Sequence, residues 1–197
     1  LRQMLPTKTD IWGEDIKQPK NKLQRGLENA ILPWTRKSIA STDVDKALNN
    51  LYEKTGESSI LPDTIDKTLT IDSKKYRLTV DEYSKYKENF GKTSYKMLNN
   101  LVKSKEYKKL TDEQKQKSIE NIYSYAKECN KVDYAKNNKL EMKQSTMYKT
   151  AEAVKKDGGV VNDYFVYIGA TDGLDKAKDK MNVLANANYS DKTKSSI

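Results

Sequence analysis

The 197-residue chain contains no histidine and a single cysteine, Cys129. The first absence removes the commonest general base, the commonest metal ligand and every Ser/His or Cys/His nucleophile pair. The second excludes an internal disulfide or a cysteine metal cluster, and nothing calls for an oxidising compartment. Arginine is scarce too: of 37 basic residues only 4 are Arg. Lysine is a hydrated point charge, whereas base readout favours the planar fork of arginine, so sequence-specific DNA recognition is disfavoured. No apolar run approaches the ~20 residues that span a bilayer, and the N-terminus lacks the charged-then-apolar pattern of a secretory signal. The expectation is a soluble chain with no membrane span, suited to a reducing cytosol or a virion. Leu, Ile, Val and Phe make up only about a fifth of the residues, close to the level below which highly charged chains stay disordered. The core is therefore expected to be thin, with 13 Tyr compensating through rings that bury while their hydroxyls stay wet or paired.

What is present is charge, helical period and capping chemistry, in a length that fits one domain, or one domain with an arm. The net charge is +9, and all four prolines and both tryptophans fall in the first third. Residues 1–40 read as an extended docking arm in which Pro6, Trp12-Gly13 and Pro19 interrupt any helical period, with room for a short helix over 21–32. Such an arm cannot bury Trp12 and Trp34 by itself, so they are expected to dock on later helices or on another chain. From there the reading is a helical domain over 41–187. Thr42 caps a helix over 43–54 with Val44, Leu48 and Leu51 on one face and Gly56 as its stop. Period-two alternation over 68–78 gives a hairpin turning at Asp72-Ser73-Lys74.

Two capping boxes mark the centre. Thr79-Val80-Asp81-Glu82 opens a helix over 80–103 whose apolar positions Tyr83, Tyr86, Phe90, Met97, Leu98, Leu101 and Val102 recur at threes and fours, while Gly91 and Ser94 leave room for a close crossing. Thr111 to Gln114 opens a second over 112–135, with Ile119, Ile122, Tyr123, Ala126 and Cys129 as its stripe. The short link predicts an antiparallel pair. The stretch to Gln144 reads either as continued helix or as a break. A helix around 145–156 ends at Asp157-Gly158-Gly159, and the apolar run 160–169 fits strand or helix by period, with Asn162-Asp163 favouring helix. Leu174–Ala187 reads as a further helix, and 188–197 as the start of a truncated one. The chain begins at Leu1 and ends just after that apparent start, so it reads as a piece of a longer polypeptide. The fold class expected is mainly α: an irregular bundle on a central antiparallel pair, with a minor β-hairpin and an extended N-terminal arm.

Candidate chemistry is sparse. Glu14-Asp15, Asp81-Glu82 and Asp112-Glu113 sit at or near helix starts, where negative charge complements the helix dipole, so they are read as caps rather than catalytic pairs. Gly158-Gly159 and Gly169–Gly173 match no phosphate-loop pattern and read as turns. Cys129, with no histidine to activate it, reads as an inert core thiol. No catalytic, cofactor-binding or metal-binding residue is expected. Between Ser84 and Lys117, ten Lys face four acids, a local +6. The link lysines Lys103, Lys105, Lys108 and Lys109, with Tyr86, Tyr95 and Tyr107 interleaved, form a candidate polyanion contact in which rings stack on bases, as in nonspecific nucleic-acid binding during genome packaging or ejection. The ordinary role of such lysines is a solvated helix face.

Two segments carry a resemblance. Leu5-Pro-Thr-Lys-Thr-Asp-Ile-Trp-Gly-Glu-Asp-Ile16 is the first. The second runs Leu78-Thr-Val-Asp-Glu-Tyr83, then Tyr86, Gly91, Leu98, Leu101, Ser104, Tyr107, Leu110-Thr111, Lys115, Ile119, Ile122, Tyr123 and Ala126. Together with Leu48-Leu51-Tyr52-Gly56 they resemble the C-terminal helical region of very large bacteriophage and prophage proteins: large polyvalent protein associated domains, minor structural proteins and tail tape-measure-like proteins. The likeness covers most of residues 1–135. It implies a non-enzymatic virion module of the tail or capsid interior, present in host cytoplasm during assembly, and no catalytic residue carries over. Its expected partners are the rest of the parent polypeptide, other virion proteins or a second copy. The expected docking and core residues are Trp12, Trp34, Tyr83, Tyr86, Phe90, Leu98, Leu101, Ile119, Ile122 and Tyr123, acting through a stripe that clamps the tryptophan arm or a neighbouring copy.

Overall fold

The computed structural model describes residues 43–61 and 65–170. The arm over 1–40 with Trp12 and Trp34, the Thr42 cap, the helix expected over 174–187 and the 188–197 segment lie outside the described residues. Within them the chain is mainly helical, with one small antiparallel hairpin.

The first helix, α1 (Asp43–Thr55), opens on Asp43 and Asp45, whose charge suits a helix start. Val44, Leu48 and Leu51 form its buried face. Gly56 ends it at φ +69, donating its amide to Tyr52 O at 2.8 Å. A 3₁₀ turn, Ser58–Ile60, then inserts Ile60 fully into the core. Strands β1 (Thr68–Ile71) and β2 (Lys74–Arg77) pair with Thr68 opposite Arg77 and Ile71 opposite Lys74. Their two-residue turn places both Asp72 (φ 44) and Ser73 (φ 68) in the left-handed region, as a tight hairpin of matching twist requires. Leu69 and Ile71 point inward and Thr70 outward. Two strands alone are marginal, and this pair leans on the rest of the fold: Tyr76 meets the helical Tyr134 with ring centres 6.0 Å apart, and the Asp72 carboxylate accepts from the Lys143 amide of a later loop at 2.9 Å.

Helix α2 (Val80–Lys103) starts at the predicted box: the Glu82 amide donates to Thr79 Oγ1 at 3.3 Å and the Thr79 amide to Glu82 Oε2 at 2.8 Å. After α3 (Lys105–Lys108), helix α4 (Asp112–Asn137) repeats the device through Thr111 and Gln114. The pair is antiparallel: Asn130 Nδ2 donates to Tyr86 O at 3.4 Å, and one turn along α2 the Phe90 ring meets Tyr123 at 6.1 Å. Gly91 and Ser94 are buried on α2, and the Ser94 hydroxyl turns back to Phe90 O at 2.6 Å.

The short link between the pair holds α3, with Ser104 closing α2 and capping α3. One bound is corrected here. The second central helix runs to Asn137, two residues past 135, and the polar stretch beyond it is a break. Lys139 adopts φ 54, the Leu140 amide returns to Ala135 O at 2.8 Å and the Lys139 amide to Lys136 O at 3.3 Å. This left-handed stop is usually a glycine.

Ser145 caps α5 (Thr146–Lys156), which ends at Gly158 (φ 77) by the same bond pattern. The 160–169 run is helical as favoured: α6 (Val161–Gly169) buries Asn162, whose Nδ2 donates to Met97 O at 2.6 Å. Its last residue touches α4. A Cβ at Gly169 would lie 2.1 Å from Ser118 Oγ and 2.9 Å from Gln114 O, so only glycine permits this approach. Helix α4 is thus packed by α1, the 3₁₀ turn, α2, α5 and α6. No helix among the described residues is long and apolar enough to cross a membrane.

Candidate interaction surfaces

The lysine-rich tip is built by one serine. Ser104 accepts the Tyr107 amide at 3.1 Å, and its own amide donates to Leu101 O at 3.0 Å, so one residue both closes α2 and caps α3. Lys103, Lys105, Lys108 and Lys109 are all exposed there, and none is paired with a carboxylate among the described residues. The aromatic half of the expected contact is corrected. Tyr107 is 5% exposed, with Lys115 Nζ lying 5.7 Å over its ring. Burial, reinforced by the charge of Asp112, pushes its hydroxyl up to about 12. Tyr86 is buried against α4 and pushed up to about 12 by burial, and Tyr95 is half-buried. Tyr86 and Tyr107 are core rings, so neither offers a face to a base.

Beside the tip, α1 and the start of α4 leave a shallow cleft of about 150 Å³ lined by Ala47, Asn50, Lys54, Tyr107, Asp112 and Lys115. Its acid and one of its bases are already paired, with Lys115 Nζ 3.6 Å from Asp112. Asp112 also occupies the first turn of α4. Glu113 pairs with Lys117 at 3.2 Å and Glu82 closes the α2 capping box, so these carboxylates serve helix starts.

A second polar cluster joins α4 to α5. The Tyr125 hydroxyl donates to Glu152 Oε1, and the Tyr125 ring stacks on Tyr148 at 5.7 Å and meets Phe165 at 5.4 Å. Burial pushes the Tyr125 and Tyr148 hydroxyls well above the usual tyrosine range. The Cys129 thiol, half-buried beside them, is pushed up to about 11 chiefly by burial. At neutral pH it stays protonated, which is the opposite of an activated nucleophile. One signal in the sequence points to this cluster: Ile122, Tyr125, Cys129 and Val132 recur at threes and fours as a second stripe on α4.

The expected docking and core residues that are described are mostly buried. Phe90, Leu98, Leu101, Ile119 and Ile122 are fully buried, Tyr86 and Tyr123 nearly so. Tyr83 is half-buried, its hydroxyl donating to Ile65 O at 3.1 Å, and the Tyr123 hydroxyl donates to Ile60 O at 3.0 Å. Among the described residues the stripe serves as core. Trp12 and Trp34 lie outside the described residues. Among the described residues no group of three or more Cys, Asp or Glu is placed to hold a metal ion. Comparison with known proteins returns no matching family model, no matching curated protein and no matching solved structure.

Proposed function

We propose that this chain is a non-enzymatic assembly module of a large bacteriophage or prophage polypeptide, a helical unit that holds its shape and joins the parent chain to other virion proteins. The observation that carries the reading is where the polar side chains are spent. Thr79, Glu82, Thr111 and Gln114 close helix starts, Asn130 and Asn162 tie helix to helix, and Tyr125 and Glu152 join α4 to α5. Fastening of that kind suits a spacer or scaffold. Because the stripe of the central pair is internal, docking falls to the segment carrying Trp12 and Trp34 and to the outer helix faces.

Particles purified from the strain that encodes the chain provide the test. Quantitative mass spectrometry should find its peptides at a fixed ratio to the major virion proteins; particles free of it would overturn the reading. Trp12 and Trp34 are the only indoles, so tryptophan emission reports docking of their segment directly. Association with a virion partner should shift that emission to the blue, and association that leaves it unchanged would remove the segment from the interface.

A further inference from the structure

The outer face of α2 presents a line of charge. Lys85, Lys92, Lys96 and Lys103 are spaced by seven, four and seven residues, and all four are exposed. At 3.6 residues per turn these spacings hold them within about 20° of one direction, over a rise of roughly 27 Å. Where the ridge ends the exposed tip begins, adding Lys105, Lys108 and Lys109. Against these seven lysines stand Glu88, which pairs with Lys92, and Glu106. Asp163 of α6 lies near Glu106, and its carboxyl is raised by burial and by that neighbour.

We propose that this ridge and tip bind the phosphate backbone of double-stranded nucleic acid, by charge and without reading sequence. This stands independently of the assembly reading. The chemistry of the face selects the partner. Lysine without arginine supplies point charges for phosphates and no fork for base edges. With Tyr86 and Tyr107 buried and Tyr95 half-buried, the charge has no fully exposed ring among the three beside it on which single-strand bases could stack. A bilayer-surface helix needs an apolar face free to sink into lipid. The apolar face of α2 is consumed in the core, and the exposed residues between Lys85 and Lys103 include none that is apolar. What remains is a straight row of cations about as long as eight base steps of duplex, at about 3.4 Å each.

Fluorescence anisotropy of the full chain with a labelled duplex of about 24 base pairs tests the proposal, over salt from about 50 to about 200 mM. Affinity should fall with a log–log slope of about −4 to −6, at −0.9 for each phosphate neutralised, and two unrelated sequences should bind alike. The quadruple variant Lys85→Gln, Lys92→Gln, Lys96→Gln, Lys103→Gln should lose affinity by about tenfold or more and flatten the slope by about 3. A control of identical net charge, Lys46→Gln, Lys136→Gln, Lys149→Gln, Lys156→Gln, should bind nearly as the parent does, with circular dichroism showing both variants folded. Equal losses in the two variants would reduce the effect to bulk charge and overturn the proposal. So would absence of duplex binding, tighter binding to a single strand, or tighter binding to polyglutamate or to vesicles with about a third anionic lipid.

Discussion

Helices α2 and α4 begin alike and end up in different surroundings. Each opens on a threonine capping box, and their lengths are 24 and 26 residues. On α2 the buried residues, from Tyr86 to Val102, occupy roughly half the circumference at about 100° per residue. On α4 they run from Ser118 to Ala135 around roughly two thirds of it. Each helix carries five lysines, but four of those on α2 stand exposed along one line, whereas on α4 only Lys136 is exposed and the other four are half-buried. The lesson is that the central pair is not symmetric: α4 is the axle, and α2 is a flank with a free outer face.

Alkali should strike both helices' surroundings at once and with the largest effect. Burial raises Tyr86 on α2, Tyr107 at the tip and Tyr164 on α6 from 10.0 to about 12. Below pH 10 both folded and unfolded chains keep these protons, so stability is intact. Above it the unfolded chain releases them first, and stability falls by up to about 1.4 kcal/mol per tyrosine per pH unit until the folded hydroxyls also ionise. The helical signal should therefore collapse between pH 10 and about 12; a chain still folded at pH 12 would show these rings to be wet.

Substitutions sharpen the contrast between axle and flank. Ile122→Ala, in the fully buried part of α4, should cost about 2–5 kcal/mol in urea unfolding, while Lys96→Ala on the outer face of α2 should stay within about 0.5 kcal/mol. Comparable costs would erase the distinction. Gly169→Ala drives a methyl into Ser118 and the α4 backbone and should cost about 1–3 kcal/mol, with faster amide exchange in α6 than in α2. The caps should differ least. Glu82 bonds only within its own box, whereas Gln114 Nε2 also reaches Ala170 O at 3.4 Å. Gln114→Ala should therefore destabilise more than Glu82→Ala, by about 0.5–1 kcal/mol; the reverse order would uncouple α6 from the start of α4.

These contrasts also mark what could be read in the sequence. Gly56, Asp72-Ser73 and Thr79 announce ends and turns through chemistry that lies within four residues, and the bounds of α1, the hairpin and α2 were legible for that reason. The stop at Lys139 was not, because a lysine in the left-handed region carries no local signature; only the returning bond from Leu140 to Ala135 reveals it. The single stripe assigned to α4 understated its burial: Tyr125 finds Tyr148 and Phe165 on helices far away in sequence, and Val132 is buried as well. Charge was legible as a count over 84–117, but its sorting into an exposed lysine ridge and buried tyrosines required knowing which side of α2 faces in.

Amide hydrogen exchange on the full chain, resolved by residue, tests the axle directly. The account predicts that Ile119 to Ala126 exchange slowest of all described amides, opening only when the whole fold opens. Amides of α2 or α6 that outlast them would contradict it and move the centre of stability elsewhere.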